Sequence, residues 1–170
     1  MEPQAEVDTG TAFRAAATLA HIPGPAAQRL ALRVTPEAER AIRNGHPWLF
    51  DRAIRQQSHP GRPGDLAVVF DRKGRFLAVG LYDPHSSIRV RILQQGEPAA
   101  IGPQWFGERL AAAAQLRAPL LTPSAQGATT GYRLVYGEND RLPGLVIDRY
   151  EQTSVISSTR PPGSRICGTC

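Results

Sequence analysis

The sequence predicts an α+β protein: a small β barrel, then a helix-plus-hairpin α/β connector, then a disordered tail. Three observations carry this. Short stretches between residues 29 and 93 alternate apolar and polar side chains and are separated by Gly, Pro and Asp, so they read as strands. One short helical stretch interrupts them, the arrangement of a small, partly closed barrel. Beyond residue 101 a longer helical stretch precedes two further strand-like runs, too little apolar surface for an independent core. A chain of 170 residues has room for one ordinary domain or two small ones sharing an interface.

Residues 1–28 are rich in Ala, Pro and Gly without periodicity and are predicted to be a flexible extension. Glu2, Glu6 and Asp8 stand where a secretory signal carries positive charge, and no run approaches roughly 18 apolar residues. Both features predict a cytoplasmic protein without a membrane partner.

The first strand is RLALRV, 29–34, where alternation suits a half-buried strand. Thr35 and Pro36 then supply the cap and first residue of a helix over 36–44. Ala38, Ala41 and Ile42 line its inner face; Arg40 and Arg43 lie together off it. Gly45 ends the helix and Pro47 prevents its restart. After turns at 60–64, DLAVVF (65–70) and RFLAVGLYD (75–83) read as strands joined by Asp71-Arg72-Lys73-Gly74. In SSIRVRIL (86–93), Ile88, Val90 and Ile92 face inward while Arg89 and Arg91 share the opposite face.

Residues 94–100 read as a linker into the second unit, 101–156. Pro103 opens a helix of roughly four turns with Phe106, Leu110, Ala113 and Ala114 as its buried stripe. A polar loop at 122–130 separates it from YRLVY (132–136) and LVIDRY (145–150), joined by a turn containing Asn139, Asp140, Pro143 and Gly144. So thin a core is expected to lean on a neighbour further along the chain. Trp105, Phe106 and Leu110 are core or docking residues.

Charge is unevenly placed. Between Arg29 and Leu93, 12 Lys or Arg stand against 6 Asp or Glu, giving +6, whereas the whole chain carries +5. Lys73 is the only lysine. Arginine suits phosphate recognition because its planar fork donates two parallel hydrogen bonds. A basic cytoplasmic module points to nucleic acid, with a merely solvated basic face as the competing reading. Arg40 and Arg43 on one helix face, and Arg89 and Arg91 on one strand face, are the candidate RNA contacts. His46 and Trp48 have the chemistry to stack on an unpaired base. A Trp between Pro and Leu more often anchors a core, which is the expectation for Trp48; for His46 both readings stand.

Glu138, Asp140 and Asp148 are read as structural, since hairpin spacing does not force them together and no metal-ligand set is complete. Cys167 and Cys170 have C-x-x-C spacing but lack a second ligand pair for zinc and a βαβ context for redox chemistry. No metal is expected.

GHPWLF (45–50), GDLAVVFDRKGRFLAVGLYDPHSSIRVRIL (64–93) and GENDRLPGLVIDRY (137–150) together carry a resemblance. Residues 29–93 resemble a PUA domain, a small RNA-binding barrel. More specifically, they resemble the N-terminal PUA domain of the class I S-adenosylmethionine-dependent methyltransferases that act on a cytosine C5 of large-subunit ribosomal RNA. Residues 105–150 are similar to that family's connecting domain; Arg141 departs from it, standing where a small residue, usually glycine, is expected.

The resemblance implies structured RNA, specifically ribosomal RNA, as partner. It also implies S-adenosylmethionine and a cysteine nucleophile in a following Rossmann-like domain, because C5 of cytosine reacts only after a thiolate adds at C6. This sequence has no G-x-G-x-x-G run, and its only cysteines are Cys167 and Cys170. The expectation is therefore a truncated, inactive RNA-binding fragment, with no catalytic residue and no cofactor of its own. Its tail, SSTRPPGSRICGTC at 157–170, reads as the product of a frameshift near Ser157. The alternative is a stand-alone PUA-domain RNA-binding module.

Overall fold

The computed structural model describes residues 29–121 and 129–158. The N-terminal extension, most of the 122–130 loop and the tail from residue 159, with both cysteines, lie outside the described residues.

The first unit contains β1 (Leu30–Val34), α1 (Pro36–Arg43), β2 (Trp48–Phe50), a 3-10 turn (Asp51–Ala53), β3 (Ile54–Gln57), β4 (Leu66–Phe70), β5 (Phe76–Tyr82) and β6 (Ile88–Gln95). These strands form one sheet in the order β2-β6-β5-β4-β1-β3. Only β1 and β4 pair in parallel. The two edge strands, β2 and β3, are consecutive in the chain with only Asp51–Ala53 between them. Such a connection reaches roughly 14 Å at full extension, so the sheet must curl until its edges approach. Thr35 N, donating to the Ala53 carbonyl at 2.9 Å, helps hold that closure.

α1 forms where the sequence predicts it. The Thr35 hydroxyl accepts from Ala38 N at 3.3 Å, Pro36 occupies the first turn, and Gly45 takes φ 92° just beyond the helix. Ile42 turns into the barrel with Leu30, Leu32, Leu49, Val69 and Val90, all nearly inaccessible. Full burial of such a side chain contributes ~1.5–3 kcal/mol, so this set dominates the fold's stability. β5 crosses β6 with a register shift at Gly80, where a Cβ would lie 2.2 Å from the Arg91 carbonyl oxygen. Only glycine lets the two strands approach that closely.

The second unit comprises α2 (Pro103–Arg117), a 3-10 turn (Ala118–Leu121), β7 (Gly131–Tyr136), a further 3-10 turn (Gly137–Asp140), β8 (Leu145–Tyr150) and β9 (Thr153–Ser158). Its core joins Trp105, Ala113, Val135 and Leu142 to Leu66, Leu81 and Leu93 of the barrel. These three leucines point outward from β4, β5 and β6, so the connector leans on the preceding barrel.

Four expectations are corrected. The hairpin is a three-stranded meander, because β9 pairs along β8 from Thr153 to Ser158; Ser157 and Ser158 are thus strand rather than disordered tail. The buried positions of α2 are Trp105 and Ala113, while Leu110 and Ala114 are exposed, because the helix packs through its first turn and one small contact. β2 and β3, unrecognised in the sequence, are only three and four residues long. Finally, Trp48 is half-buried and outside the barrel; Leu49 is the core anchor of that strand.

Candidate nucleic-acid interface

β2 sets the geometry. A strand alternates its side chains, so with Leu49 inward, Trp48 and Phe50 must face out. Trp48 N donates to His46 Nδ1 at 3.2 Å. That bond folds the imidazole back to 6.0 Å from the Trp48 ring and 6.1 Å from the Phe50 ring, centroid to centroid. The three rings make an aromatic shelf along the sheet edge, and Phe50 is 43% exposed. In the β2–β6 register Arg91 lies directly across from Trp48, so the two residues share one face of the sheet. Among the described residues no hydrogen bond or ion pair engages the Arg91 side chain.

The other sequence-predicted residues differ in how free they are. Arg40 is 73% exposed and has only a loose 3.8 Å contact with Glu37. Arg43 bonds Glu39 at 3.2 Å and reaches Asp71 at 3.0 Å, pinning α1 to the β4–β5 turn. Arg89 is only 20% exposed; it donates to the Asp83 carbonyl at 3.1 Å and lies 3.9 Å from the Asp51 carboxylate. His46 and Arg91 therefore share the β2–β6 face with a tethered Arg89, while Arg40 and Arg43 belong to α1.

Asp71 is fully enclosed. Burial alone would raise its pKa. The hydrogen bonds it accepts from the backbone and side chain of Arg75 and from Lys73 N outweigh that and hold it below the ordinary carboxylate range. Asp140 behaves likewise. Burial pushes it up, but a bidentate pair with Arg117 at 2.6 and 2.8 Å, together with Tyr136 N, brings it below its usual value. The Asp148 pKa is lowered chiefly by its hydrogen bonds with Arg133. Glu138 turns to Trp48 instead. The three acids are thus separate, and the described residues contain no group of His, Cys, Asp or Glu able to hold a metal ion.

One feature was not legible in the sequence. Trp48 Nε1 donates to Glu138 Oε1 at 2.9 Å and Arg109 Nη2 to Gln94 Oε1 at 3.1 Å, so the shelf and the end of β6 are tied to the connector. Between the two units lies a cleft of about 480 Å³, lined by Pro47, Gln95, Glu138, Asn139 and Arg141 among others. Arg141 adopts the left-handed conformation, φ 58°, ψ 31°. That is the physical reason a glycine is expected there; the departure from glycine was noted in the sequence, but nothing in it pointed to a cleft.

Comparison with known proteins agrees with this architecture. Residues 32–95 match the PUA-like domain family. The "Ribosomal RNA large subunit methyltransferase" of Deinococcus radiodurans is 51% identical over 135 residues, covering 79% of this chain and 33% of that protein. The "Ribosomal RNA large subunit methyltransferase I" of Photobacterium profundum is 41% identical over 114 residues, covering 66% of this chain and 28% of its own length. Among solved structures, "A putative sam-dependent methyltransferase from Streptococcus mutans" superposes with a TM-score of 0.61 at 18% identity, over 76% of this chain and 33% of that one. The last likeness is one of fold. The chain spans about a third of the length of the curated relatives it matches.

Proposed function

We propose that this chain, which is similar to the ribosomal RNA large subunit methyltransferases over about a third of their length, is their RNA-gripping portion. It takes structured ribosomal RNA as its partner, in the cytoplasm, in the service of ribosomal RNA maturation. The observation that carries this reading is the aromatic shelf His46-Trp48-Phe50 with Arg91 opposite Trp48. Aromatic rings stack on unpaired bases, and a free guanidinium meets phosphate, which supplies affinity without reading sequence. Arg40 adds a second phosphate contact from α1; Arg43 and Arg89 act by holding these surfaces in place.

The reaction served is methyl transfer from S-adenosylmethionine to a cytosine C5. In this proposal the 170 residues supply the grip and not the methyl transfer; no glycine-rich strand-to-helix turn for the cofactor occurs among them. The test pairs two assays on the purified chain: gel shift with folded fragments of large-subunit ribosomal RNA, and incorporation of labelled methyl groups into the same RNA. Binding without incorporation is expected. Methyl incorporation would overturn the division of labour, and absence of binding at low salt would overturn the RNA-gripping role.

A further inference from the structure

We infer that the cleft between barrel and connector receives one unpaired nucleotide of the bound RNA and prefers a base carrying an exocyclic amino group. This inference rests on the RNA-gripping role and assigns a pocket to it. The cleft's volume, about 480 Å³, falls within the ~300–1,000 Å³ usual for small-ligand sites, too small for a helix of RNA. It opens beside the aromatic shelf, since Pro47 and Glu138 line it and Trp48 is bonded to Glu138. A nucleotide leaving a strand that lies on the shelf therefore has the cleft as its nearest enclosure.

The lining has a definite polarity. One Glu138 carboxylate oxygen accepts from the Trp48 indole, leaving the other as an acceptor; no cation is paired with this carboxylate among the described residues. An unneutralised carboxylate repels phosphate, so it is the base that enters. That free oxygen accepts from an amino group, as carboxylates do from cytosine N4, and meets the O4 carbonyl at the same position of uracil, whose N3–H is the only donor left on that edge. The carboxamides of Gln95 and Asn139 offer donors and acceptors to the rest of the base edge. Arg141, exposed at the cleft and without a side-chain partner among the described residues, is placed to meet the flanking phosphate. It does so from a backbone conformation that disfavours any side chain, and such strain concentrates at functional positions.

The experiment uses the full chain and RNA hairpins identical except for one bulged nucleotide, C, A, G or U, with a fully paired hairpin as reference. Expected is binding about tenfold tighter for the amino-bearing bulges than for the U bulge or the paired hairpin, the size of one good base contact. Arg141→Gly, which suits the local backbone, lowers affinity for the bulged hairpins severalfold and leaves the paired one unchanged. Glu138→Gln keeps an oxygen for Trp48 and puts an amide N–H₂ toward the cleft, so the preference against uracil disappears or reverses. Equal binding of every hairpin, unmoved by either variant, overturns the inference while leaving the RNA-gripping role intact. Failure of the wild-type chain to bind any hairpin overturns both.

Discussion

Trp48 and Glu138, 90 residues apart in the chain, are joined by a 2.9 Å hydrogen bond that ties the aromatic shelf of the barrel to the connector. Its donor and acceptor each contribute to a different unit, so it reports on their union. Trp48→Phe removes the donor and keeps most of the ring. It should cost about 1 kcal/mol in chemical denaturation, the usual worth of one such bond, and speed amide exchange in the Gly137–Asp140 turn more than in β4.

Arg141→Gly separates stability from binding. A left-handed non-glycine residue is strained, and the φ of 58° persists only because the turn imposes it. The variant should be more stable by up to about 1 kcal/mol, part of the gain being lost to the greater freedom of glycine in the unfolded chain. Thermal melts read this directly, and weaker binding to bulged RNA should accompany it.

Gly80→Ala should do the opposite. The added methyl would sit on the Arg91 carbonyl oxygen, and backbone cannot yield as a flexible side chain does. Forcing β5 away from β6 should cost about 2 kcal/mol or more and displace Arg91 from its place across from Trp48.

Asp71 predicts an acid limb. Its native pKa lies below the ordinary carboxylate value, so its contribution to stability is fully present above the unfolded-state value of about 4 and is lost as pH falls through the native pKa. Stability measured between pH 7 and pH 2 should decline below about pH 4 in the wild type. In Asp71→Asn it should be lower at neutral pH and decline less steeply, because the titrating partner of Arg43 and Arg75 is gone.

Much of the barrel was legible because its signals are local. Thr35-Pro36 fixed the start of α1, Gly45 its end, and the alternation of Ile88, Val90 and Ile92 the inward face of β6. What escaped depends on contacts distant in sequence. Three residues are too few for period two to announce β2, so Trp48 was expected inside, although alternation about Leu49 puts it out. β9 carries Val155 and Ile156 exposed on both faces, with no amphipathic pattern to find. Of the five candidate contacts, nothing local distinguishes Arg43, claimed by Asp71 28 residues away, from Arg91, which has no partner among the described residues. The cleft is a product of two units meeting and has no counterpart in either segment alone.

With RNA on the outer face of β2 and β6, Arg91 is the side chain that neutralises a phosphate there. The most direct test is the salt dependence of binding to a folded ribosomal RNA fragment, for the wild-type chain and for Arg91→Ala, with Arg43→Ala as a stability control. Expected are a linear fall of log affinity with log salt, weaker binding for Arg91→Ala, and a slope shallower by about one counterion. Arg43→Ala should lower the melting temperature with little change in slope. Unchanged affinity and slope in Arg91→Ala, in a wild-type protein that does bind, would contradict that placement of the RNA.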